Sequence, residues 1–311
     1  MKLPQIQIIN QRIHLIAREP IVFPQFPGAA FRSAFGAALR RTCCTMKAQT
    51  CPNCMLNTSC VYAMVFETQA VHVQSSGYQL KDFPRPFVMI PQFPCESHIL
   101  KNDSFYCNLI LMGRAIEYLP YFIYSFETIG KSGIGKNLGK YVISHMIDQT
   151  NETIIFDGPP RQFTGTPQKM DISKISMVNP GNVLNLAFLT PTRIKYQNQL
   201  THALTFELLI KNLLRRLKLL AQMTSIDWTP DFSFILDQAK QVQTIDSNLY
   251  WYDWHRYSVR QQRAMKLGGF MGDISFDGDF LSIMPLIEIG QYMHVGKACT
   301  FGLGKYRINL S

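Results

Sequence analysis

Four cysteines in one short segment have the spacing of a metal site. They form the pattern Cys44-x6-Cys51-x2-Cys54-x5-Cys60, with Cys43 as a spare, in a stretch that also contains proline and asparagine. A CxxC turn points two thiolates at one ion, and two further cysteines complete a tetrahedral site. We predict zinc that stabilises the loop, although four thiolates also hold an iron–sulfur cluster. Reduced cysteines without a metal are the plainer alternative.

A glycine-rich segment near the C-terminus is a candidate for binding phosphates. In it Gly296, Gly302 and Gly304 would expose backbone amides, while Lys297 and Lys305 supply positive charge. An ordinary turn from a helix to a strand fits the same residues equally well. The earlier pattern 130–137 is not a P-loop, because Asn stands where Ser or Thr should bind magnesium and because a strand follows it.

Aromatic and basic residues alternate in the segment 250–263, YWYDWHRYSVRQQR. Aromatic rings can stack on bases, and arginines can hold phosphates. In a strand, Arg256, Ser258 and Arg260 would share one face. Aromatic strands are also ordinary sheet cores, so this segment alone leaves RNA binding and core packing both open.

The composition is typical of a folded protein, and the excess of basic residues favours an anionic partner. Hydrophobic residues make up 47% and charged residues 17% of the 311 residues, which excludes a disordered chain. Lys and Arg number 31 against 21 for Asp and Glu, a net charge of +10 that favours nucleic acid or a membrane surface. A chain of this length is expected to form two domains.

The N-terminal residues do not resemble an export signal. Pro4 and several polar residues interrupt the stretch that a signal peptide would need to be apolar. No apolar run approaches the roughly 18 residues that span a bilayer. We therefore expect a cytoplasmic protein without a membrane partner, in which thiols stay reduced.

The two halves of the chain end in similar sequences. Leu138-Gly139-Lys140-Tyr141-x-Ile143 matches Leu303-Gly304-Lys305-Tyr306-x-Ile308, and Pro120 matches Pro285. In each half the match follows a predicted helix, over 116–129 and 281–293, and a Gly/Lys-rich loop. A tandem duplication explains this arrangement.

Periodicity predicts the order βαββαβ in each half, which is the ferredoxin-like order of the α+β class. The N-terminal domain is predicted over 1–157, with a Cys-rich loop insertion at 43–60. A proline-containing linker follows over 158–181, and the C-terminal domain covers 182–311. The other predicted helices lie at 29–41 and 204–221, and the predicted strands at 6–17, 87–90, 105–112, 183–195, 249–259 and 267–276.

Several motifs together resemble one known family. They include Phe31-Arg32-Ser33-Ala34-Phe35-Gly36, Pro84-Arg85-Pro86-Phe87, Thr190-Pro191-Thr192-Arg193-Ile194-Lys195, Arg256-Tyr257-Ser258-x-Arg260-Gln261 and the segment His294 to Gly304. The chain resembles the CRISPR-associated repeat-cleaving endoribonucleases of the RAMP superfamily, the sixth Cas protein family. The resemblance covers nearly the whole chain and is most specific in its C-terminal third.

The resemblance implies two ferredoxin-like, RRM-related domains and a role in CRISPR antiviral defence. It implies binding of the CRISPR repeat RNA and one cut in each repeat of the precursor. The cut uses no metal ion or other cofactor: the ribose 2′-hydroxyl attacks the adjacent phosphate and leaves a 2′,3′-cyclic phosphate. The implied RNA-binding residues are Arg193, Lys195, Arg256, Arg260, Gly296, Gly302, Gly304 and Lys305.

The resemblance assigns catalytic residues less directly than RNA-binding residues, because the predicted first helix lacks the histidine that many family members carry there. His294 is the predicted general base or acid, since imidazole suits proton transfer near pH 7. Tyr257 and Lys297 are predicted to assist it, and Arg32 and Arg40 are further candidates. His14, inside the first predicted strand, is interpreted as structural.

A second hypothesis has no cleavage. The chain would then hold the repeat-derived RNA handle in a CRISPR effector complex with other Cas proteins. A full-length resemblance to the processing enzymes favours the nuclease. The sequence leaves a monomer and a homodimer both open.

Overall fold

The computed structural model describes residues 1–47, 50–68, 83–93, 98–258 and 263–309, and gives only the backbone of 255–258 and 263–266. The chain divides into two compact units. Gln7–Met170 form the N-terminal unit. Met1–Ile6 and Asp171–Ser311 form the C-terminal unit.

The described residues of the N-terminal unit form three helices and a mainly antiparallel sheet. Its helices are α1 (Gly28–Cys43), α2 (Val61–Val65) and α3 (Leu119–Ser132). Its strands are β1 (Gln7–Ala17), β2 (Ile21–Val22), β3 (Phe87–Pro91), β4 (His98–Ile99), β5 (Ser104–Met112), β6 (Tyr141–Asp148), β7 (Thr153–Asp157) and β8 (Gln162–Phe163). The short strand β9 (Met170–Asp171) lies at the boundary between the units.

The sheet order of this unit is β3-β5-β1-β6-β7-β8. Strand β1 alternates between buried residues such as Ile13 and Leu15 and half-buried residues such as Arg12 and His14. The buried face packs against α1 and α3 through a core of aliphatic and aromatic side chains. The half-buried residues therefore lie on the face of the sheet that these helices do not cover.

The C-terminal unit repeats this plan. Its helices are α4 (Phe206–Met223), α5 (Phe232–Gln241) and α6 (Met284–Met293). Its strands are β10 (Val183–Thr192), β11 (Ile194–Tyr196), β12 (Gln199–Thr201), β13 (Gln243–Tyr252), β14 (His255–Ser258), β15 (Arg263–Lys266), β16 (Gly269–Asp277) and β17 (Tyr306–Asn309). The main sheet has the order β13-β16-β10-β17.

Both sheets have the ferredoxin-like order, in which the first core strand lies between the third and the last. The matched sequence endings also have matched contacts. The hydroxyl of Tyr141, at the start of β6, donates to the carbonyl of Phe126 in α3 at 2.9 Å. The hydroxyl of Tyr306, at the start of β17, donates to the carbonyl of Ile287 in α6 at 2.6 Å. The tandem ferredoxin-like fold is confirmed.

The element boundaries differ from the sequence prediction at the two repeated helices. Helix α3 begins at Leu119 and α6 at Met284, each with a proline in the first turn. Proline fits that turn because the amide it lacks has no partner inside the helix. In the N-terminal unit the preceding residues Gly113–Tyr118 form a separate 3-10 helix.

The structure also contains elements that periodicity did not predict. Helix α5 lies between α4 and β13, and its N-cap Asp231 accepts a hydrogen bond from the amide of Phe234. The predicted linker 158–181 includes β8, β9 and the 3-10 helix Ile172–Lys174. Within the described ranges, no helix combines the length and hydropathy needed to span a membrane.

Candidate nucleic-acid interface

The glycine-rich segment 294–305 connects α6 to β17 in the C-terminal unit. The backbone angle φ is positive at His294 and Ala298 and also at Gly296, Gly302 and Gly304. A Cβ atom at Gly304 would lie 1.9 Å from the carbonyl oxygen of Val295. Glycine is therefore required at that position both for its φ and for close packing of the backbone.

Backbone hydrogen bonds hold this segment against the end of β10. The amide of Lys297 donates to the carbonyl of Arg193 at 2.9 Å, and the amide of Gly304 donates to the carbonyl of Pro191 at 3.2 Å. The segment therefore has one defined conformation beside Arg193, and its position in the unit is set by β10.

The Thr190 side chain completes the attachment. Its hydroxyl donates to the carbonyl of Gly302 at 2.8 Å and accepts from the amide of Lys305 at 2.9 Å. This corrects one expectation from the sequence. The amides of Lys297, Gly304 and Lys305 bind atoms of the protein, so they do not face a phosphate chain. Any contact with phosphate must come mainly from side chains.

Positive side chains surround this ordered segment. Lys297 and Lys195 are exposed, while Arg193 and Lys305 are half-buried. The two connected stretches 190–196 and 294–307 contain no Asp or Glu. Backbone hydrogen bonds thus bring together two segments that carry four of the predicted RNA-binding or assisting residues, and the negative charge of Asp253 acts on one of them, Arg193. We call Arg193, Lys195, Lys297 and Lys305 the basic surface.

Arg193 is the most constrained member of the basic surface. Its guanidinium donates to the carbonyl of Gly268, and burial lowers its pKa from the ordinary value. Arginine remains charged despite such a shift because its ordinary pKa is above 12. The contact with Gly268 therefore fixes a cation near the surface at a defined position.

His294 does not have the placement that a general base requires. Its side chain is 0% exposed, and its Nδ1 donates to the carbonyl of Leu303 at 2.9 Å. Burial lowers its pKa to about 3, and its Nε2 is enclosed without a hydrogen-bond partner. The ring therefore stays neutral inside the unit and does not reach a phosphate in this conformation. The catalytic assignment of His294 does not fit the structure.

The other predicted residues of the C-terminal unit lie in or beside a two-stranded hairpin. Arg256 and Tyr257 are in β14, where they pair in register with Met265 and Ala264 of β15. Arg260 lies outside the described residues. Their roles as RNA contacts or catalytic groups stay predictions.

The predicted metal ligands Cys44, Cys51, Cys54 and Cys60 are half-buried free thiols. Burial raises the pKa of Cys51, and the negative charge of Glu67 adds to this effect. Among the residues that the structure describes, no three or more His, Cys, Asp or Glu side chains are arranged to hold a metal ion. The structure therefore gives the zinc prediction no preformed site, and that assignment stays a prediction.

The first helix carries two candidate cations. The Cζ atom of Arg32 lies 4.1 Å from the ring centroid of Phe66, a cation–π contact. A hydrogen bond between Arg40 and Cys44 raises the pKa of Arg40. Neither contact involves a general base, so α1 offers positive charge but no imidazole.

A group that the sequence did not indicate as a site lies in the N-terminal unit. Tyr106, His14, His145 and Asp157 occupy one register row across β5, β1, β6 and β7. The rings of His14 and His145 are stacked, with centroids 4.3 Å apart and an interplanar angle of 13°. We call these four residues the histidine row. The sequence alone could not reveal it, because it depends on the register of three strand pairs.

Two family models match the chain. A model of the AF_1859 N-terminal domain matches residues 6–168, and the model of the CRISPR-associated endoribonuclease Cas6 matches residues 186–306. An uncharacterized protein of Archaeoglobus fulgidus is 26% identical over 294 residues, covering 92% of this chain and 92% of the relative.

Solved structures share the fold over nearly the whole chain. A Cas6 product complex has a TM-score of 0.58 at 13% identity and covers 99% of this chain and 100% of its own. Thermus thermophilus Cas6 has a TM-score of 0.55 at 12% identity, with the same coverage. A partial Cas6-RT-Cas1–Cas2 complex has a TM-score of 0.61 at 14% identity and covers 100% of this chain but 47% of its own. The chain therefore belongs to the family of the AF_1859 N-terminal domain, whose model covers just over half of it, and its residues 186–306 match the model of the CRISPR-associated endoribonuclease Cas6.

Proposed function

We propose that this chain binds the CRISPR repeat RNA and cleaves precursor CRISPR RNA within each repeat. The observation that carries the proposal is the basic surface, which an ordered glycine-rich segment positions on the ferredoxin-like unit that the Cas6 model matches. Lysine and arginine side chains bind the phosphate backbone of RNA by neutralising its charge. Single strands and loops of RNA are the usual targets of sequence-specific recognition.

The proposed reaction needs no metal ion, because RNA carries its own nucleophile. The 2′-hydroxyl attacks the adjacent phosphorus, the bond from phosphorus to the 5′-oxygen breaks, and a 2′,3′-cyclic phosphate forms. The protein has to accept one proton, supply another and stabilise the negative charge on phosphate. Proteins of Cas type are the proposed partners, since one solved neighbour is a Cas6-RT-Cas1–Cas2 complex.

The test is incubation of the purified chain with end-labelled repeat RNA in EDTA. We expect a single cut, and we expect a 2′-deoxy substitution at the cut site to abolish it. Matched RNAs with the deoxy substitution at neighbouring positions serve as controls and should be cut normally. A cut that survives every single deoxy substitution would contradict attack by the 2′-hydroxyl.

A second candidate function is RNA holding without cleavage. The enclosed ring of His294 favours it, because the predicted general base is out of reach of RNA. In that case the repeat RNA binds tightly in the same assay and remains intact. Absence of both binding and cleavage would contradict both candidates.

A further inference from the structure

We propose that His14 and His145 of the histidine row are the general base and the general acid of RNA cleavage, a proposal that rests on the function proposed above. Two imidazoles are stacked on the side of the sheet that α1 and α3 do not cover, beside an arginine held in place. The family matches by themselves name no role for this group of residues.

The spacing of the two rings suits the reaction. An in-line displacement has its attacking and leaving oxygens on opposite sides of one phosphorus atom, so the base and the acid must both reach the same phosphodiester. The ring centroids of His14 and His145 are 4.3 Å apart and nearly parallel. Each imidazole can therefore address one of the two oxygens of a single phosphodiester.

The pairing of β1 with β6 determines the positions of the His14 and His145 rings. His14 pairs directly with His145, but the next residue, Leu15, pairs with Ile143, so Ser144 is an extra residue in β6. Such a bulge redirects the neighbouring side chains and is common beside active sites. The Ser144 hydroxyl lies 3.0 Å from Nδ1 of His145, which leaves Nε2 as the nitrogen of that ring for substrate.

The surroundings of His14 suit the role of the base. Burial lowers the pKa of His14, and the nearby charges of His145 and Arg12 lower it further. Its Nε2 is enclosed without a partner, so its Nδ1 is the nitrogen for substrate. A neutral imidazole can accept a proton at neutral pH. His14 is thus assigned as the base, and His145, the ring stacked against it, takes the remaining role of the acid.

A cation lies on the same face of the sheet. The Nε atom of Arg12 donates to the side-chain carbonyl of Asn108 at 2.9 Å, and its Cζ lies 4.5 Å from the ring centroid of Tyr106. These contacts hold the guanidinium of Arg12, which is two residues from His14 in β1, so its positive charge is available to stabilise a phosphate bound at the two rings. The other ionisable groups of the row are Tyr106 from β5 and Asp157 from β7.

In the proposed cleavage step each proton has a donor and an acceptor. The 2′-hydroxyl gives its proton to Nδ1 of His14 as the bond from its oxygen to phosphorus forms. The bond from phosphorus to the 5′-oxygen breaks, and that oxygen takes the proton from Nε2 of His145. The products are a 2′,3′-cyclic phosphate and a 5′-hydroxyl, and exchange with solvent restores both histidines.

The test compares single-turnover cleavage by the variants His14→Ala and His145→Ala with that of the wild type under saturating protein. We expect each rate to fall about 10²- to 10⁴-fold, the usual contribution of a general acid or base. The affinity for RNA should remain within a few-fold. His202→Ala is the matched control, because His202 is an exposed histidine of the other unit and should leave the rate unchanged.

An RNA with sulfur in place of the 5′-oxygen at the cut site separates the two roles, because a thiolate leaves without a proton. This substrate should restore cleavage by His145→Ala and should not restore cleavage by His14→Ala. Equal rescue of both variants, or of neither, would contradict the assignment of base and acid. If an alanine variant fails to fold, His14→Gln and His145→Gln take its place, since they keep a polar side chain of similar size.

Failure of this proposal is distinguishable from failure of the proposed function. Wild-type protein that binds RNA but does not cut it contradicts the nuclease function, and the catalytic pair with it. Wild-type protein that cuts, with both histidine variants cutting at the same rate, overturns the pair alone. The cleavage reaction would then use other groups.

Discussion

The ring of His294 and the carbonyl of Leu303 are joined by a 2.9 Å hydrogen bond inside the C-terminal unit. The bond closes the glycine-rich segment on itself, because Leu303 lies near the end of the segment and His294 at its start. Both groups are fully buried, so the histidine acts as a structural clamp for the loop that carries Lys297.

This clamp makes stability depend on pH. Burial lowers the pKa of His294 to about 3, whereas a histidine in the unfolded chain has a pKa near 6.5. Between these values the unfolded chain binds a proton that the folded chain excludes, so stability is lost as the pH falls from about 6.5 toward 3.

The variant His294→Asn should weaken that dependence. Asparagine can donate a similar hydrogen bond and tolerates the positive φ of this position, but it does not titrate. Urea unfolding at pH 7.5 and pH 5 measures the difference in unfolding free energy for both proteins. An equal loss of stability on acidification in both would contradict a role for His294.

Lys297 and Lys305 are expected to contact phosphates of the bound RNA. The double variant Lys297→Ala with Lys305→Ala should weaken RNA binding, and the slope of log affinity against log salt should decrease by about 0.7 for each lost contact. The control is Lys169→Ala with Lys174→Ala, which removes the same charge from two exposed positions elsewhere. Equal effects of the two double variants would indicate a response to net charge alone.

Gly304 is expected to be more sensitive to substitution than Gly181, although both have positive φ. A Cβ atom at Gly304 would meet the carbonyl oxygen of Val295 at 1.9 Å, whereas at Gly181 it would meet nothing within 4 Å. Gly181→Ala should lose about 1 kcal/mol from backbone strain. Gly304→Ala should lose a further ~1–3 kcal/mol from overpacking. Urea unfolding compares them within the same unit, and equal losses would contradict the steric argument.

We further propose that the Cys-rich loop binds a structural zinc ion. Wild-type protein purified without chelator should then contain about one metal ion per chain by elemental analysis, since four thiolates complete one tetrahedral site. Cys51→Ser with Cys54→Ser should abolish it, and Cys43→Ser, which changes the spare cysteine, should retain it. A metal content that is the same in all three proteins would rule out these ligands.

The fold could be predicted well from the sequence. The spacing of hydrophobic residues and the order of helices and strands along the chain largely determine it. Strand β1 and helices α1 and α4 were predicted to within two or three residues at each end. The repeated endings at Tyr141 and Tyr306 identified the duplication, since each tyrosine anchors the last core strand to the preceding helix. Helix α5 was missed, and only two of its ten residues, Ile235 and Ala239, are buried.

The candidate site was predicted less completely because burial and register are tertiary properties. The lysines and Arg193 could be identified by type and spacing, and the structure places them beside one loop. Whether His294 faces solvent or core cannot be deduced from its neighbours in sequence. Likewise, His14 and His145 are far apart in the chain, and only the pairing of β1 with β6 makes them neighbours.

The residues that precede β1 belong to the C-terminal unit, and this has a consequence for how the molecule is made. The indole of Trp228 donates to the carbonyl of Lys2 at 2.9 Å, and the amide of Ile172 donates to the carbonyl of Ile6 at 3.0 Å. Synthesis on the ribosome produces Leu3 and Ile6 before residues 171–311, with which they form one compact unit. The C-terminal unit therefore reaches its complete fold only when residues 1–6, made before the whole N-terminal unit, bind to segments made after it.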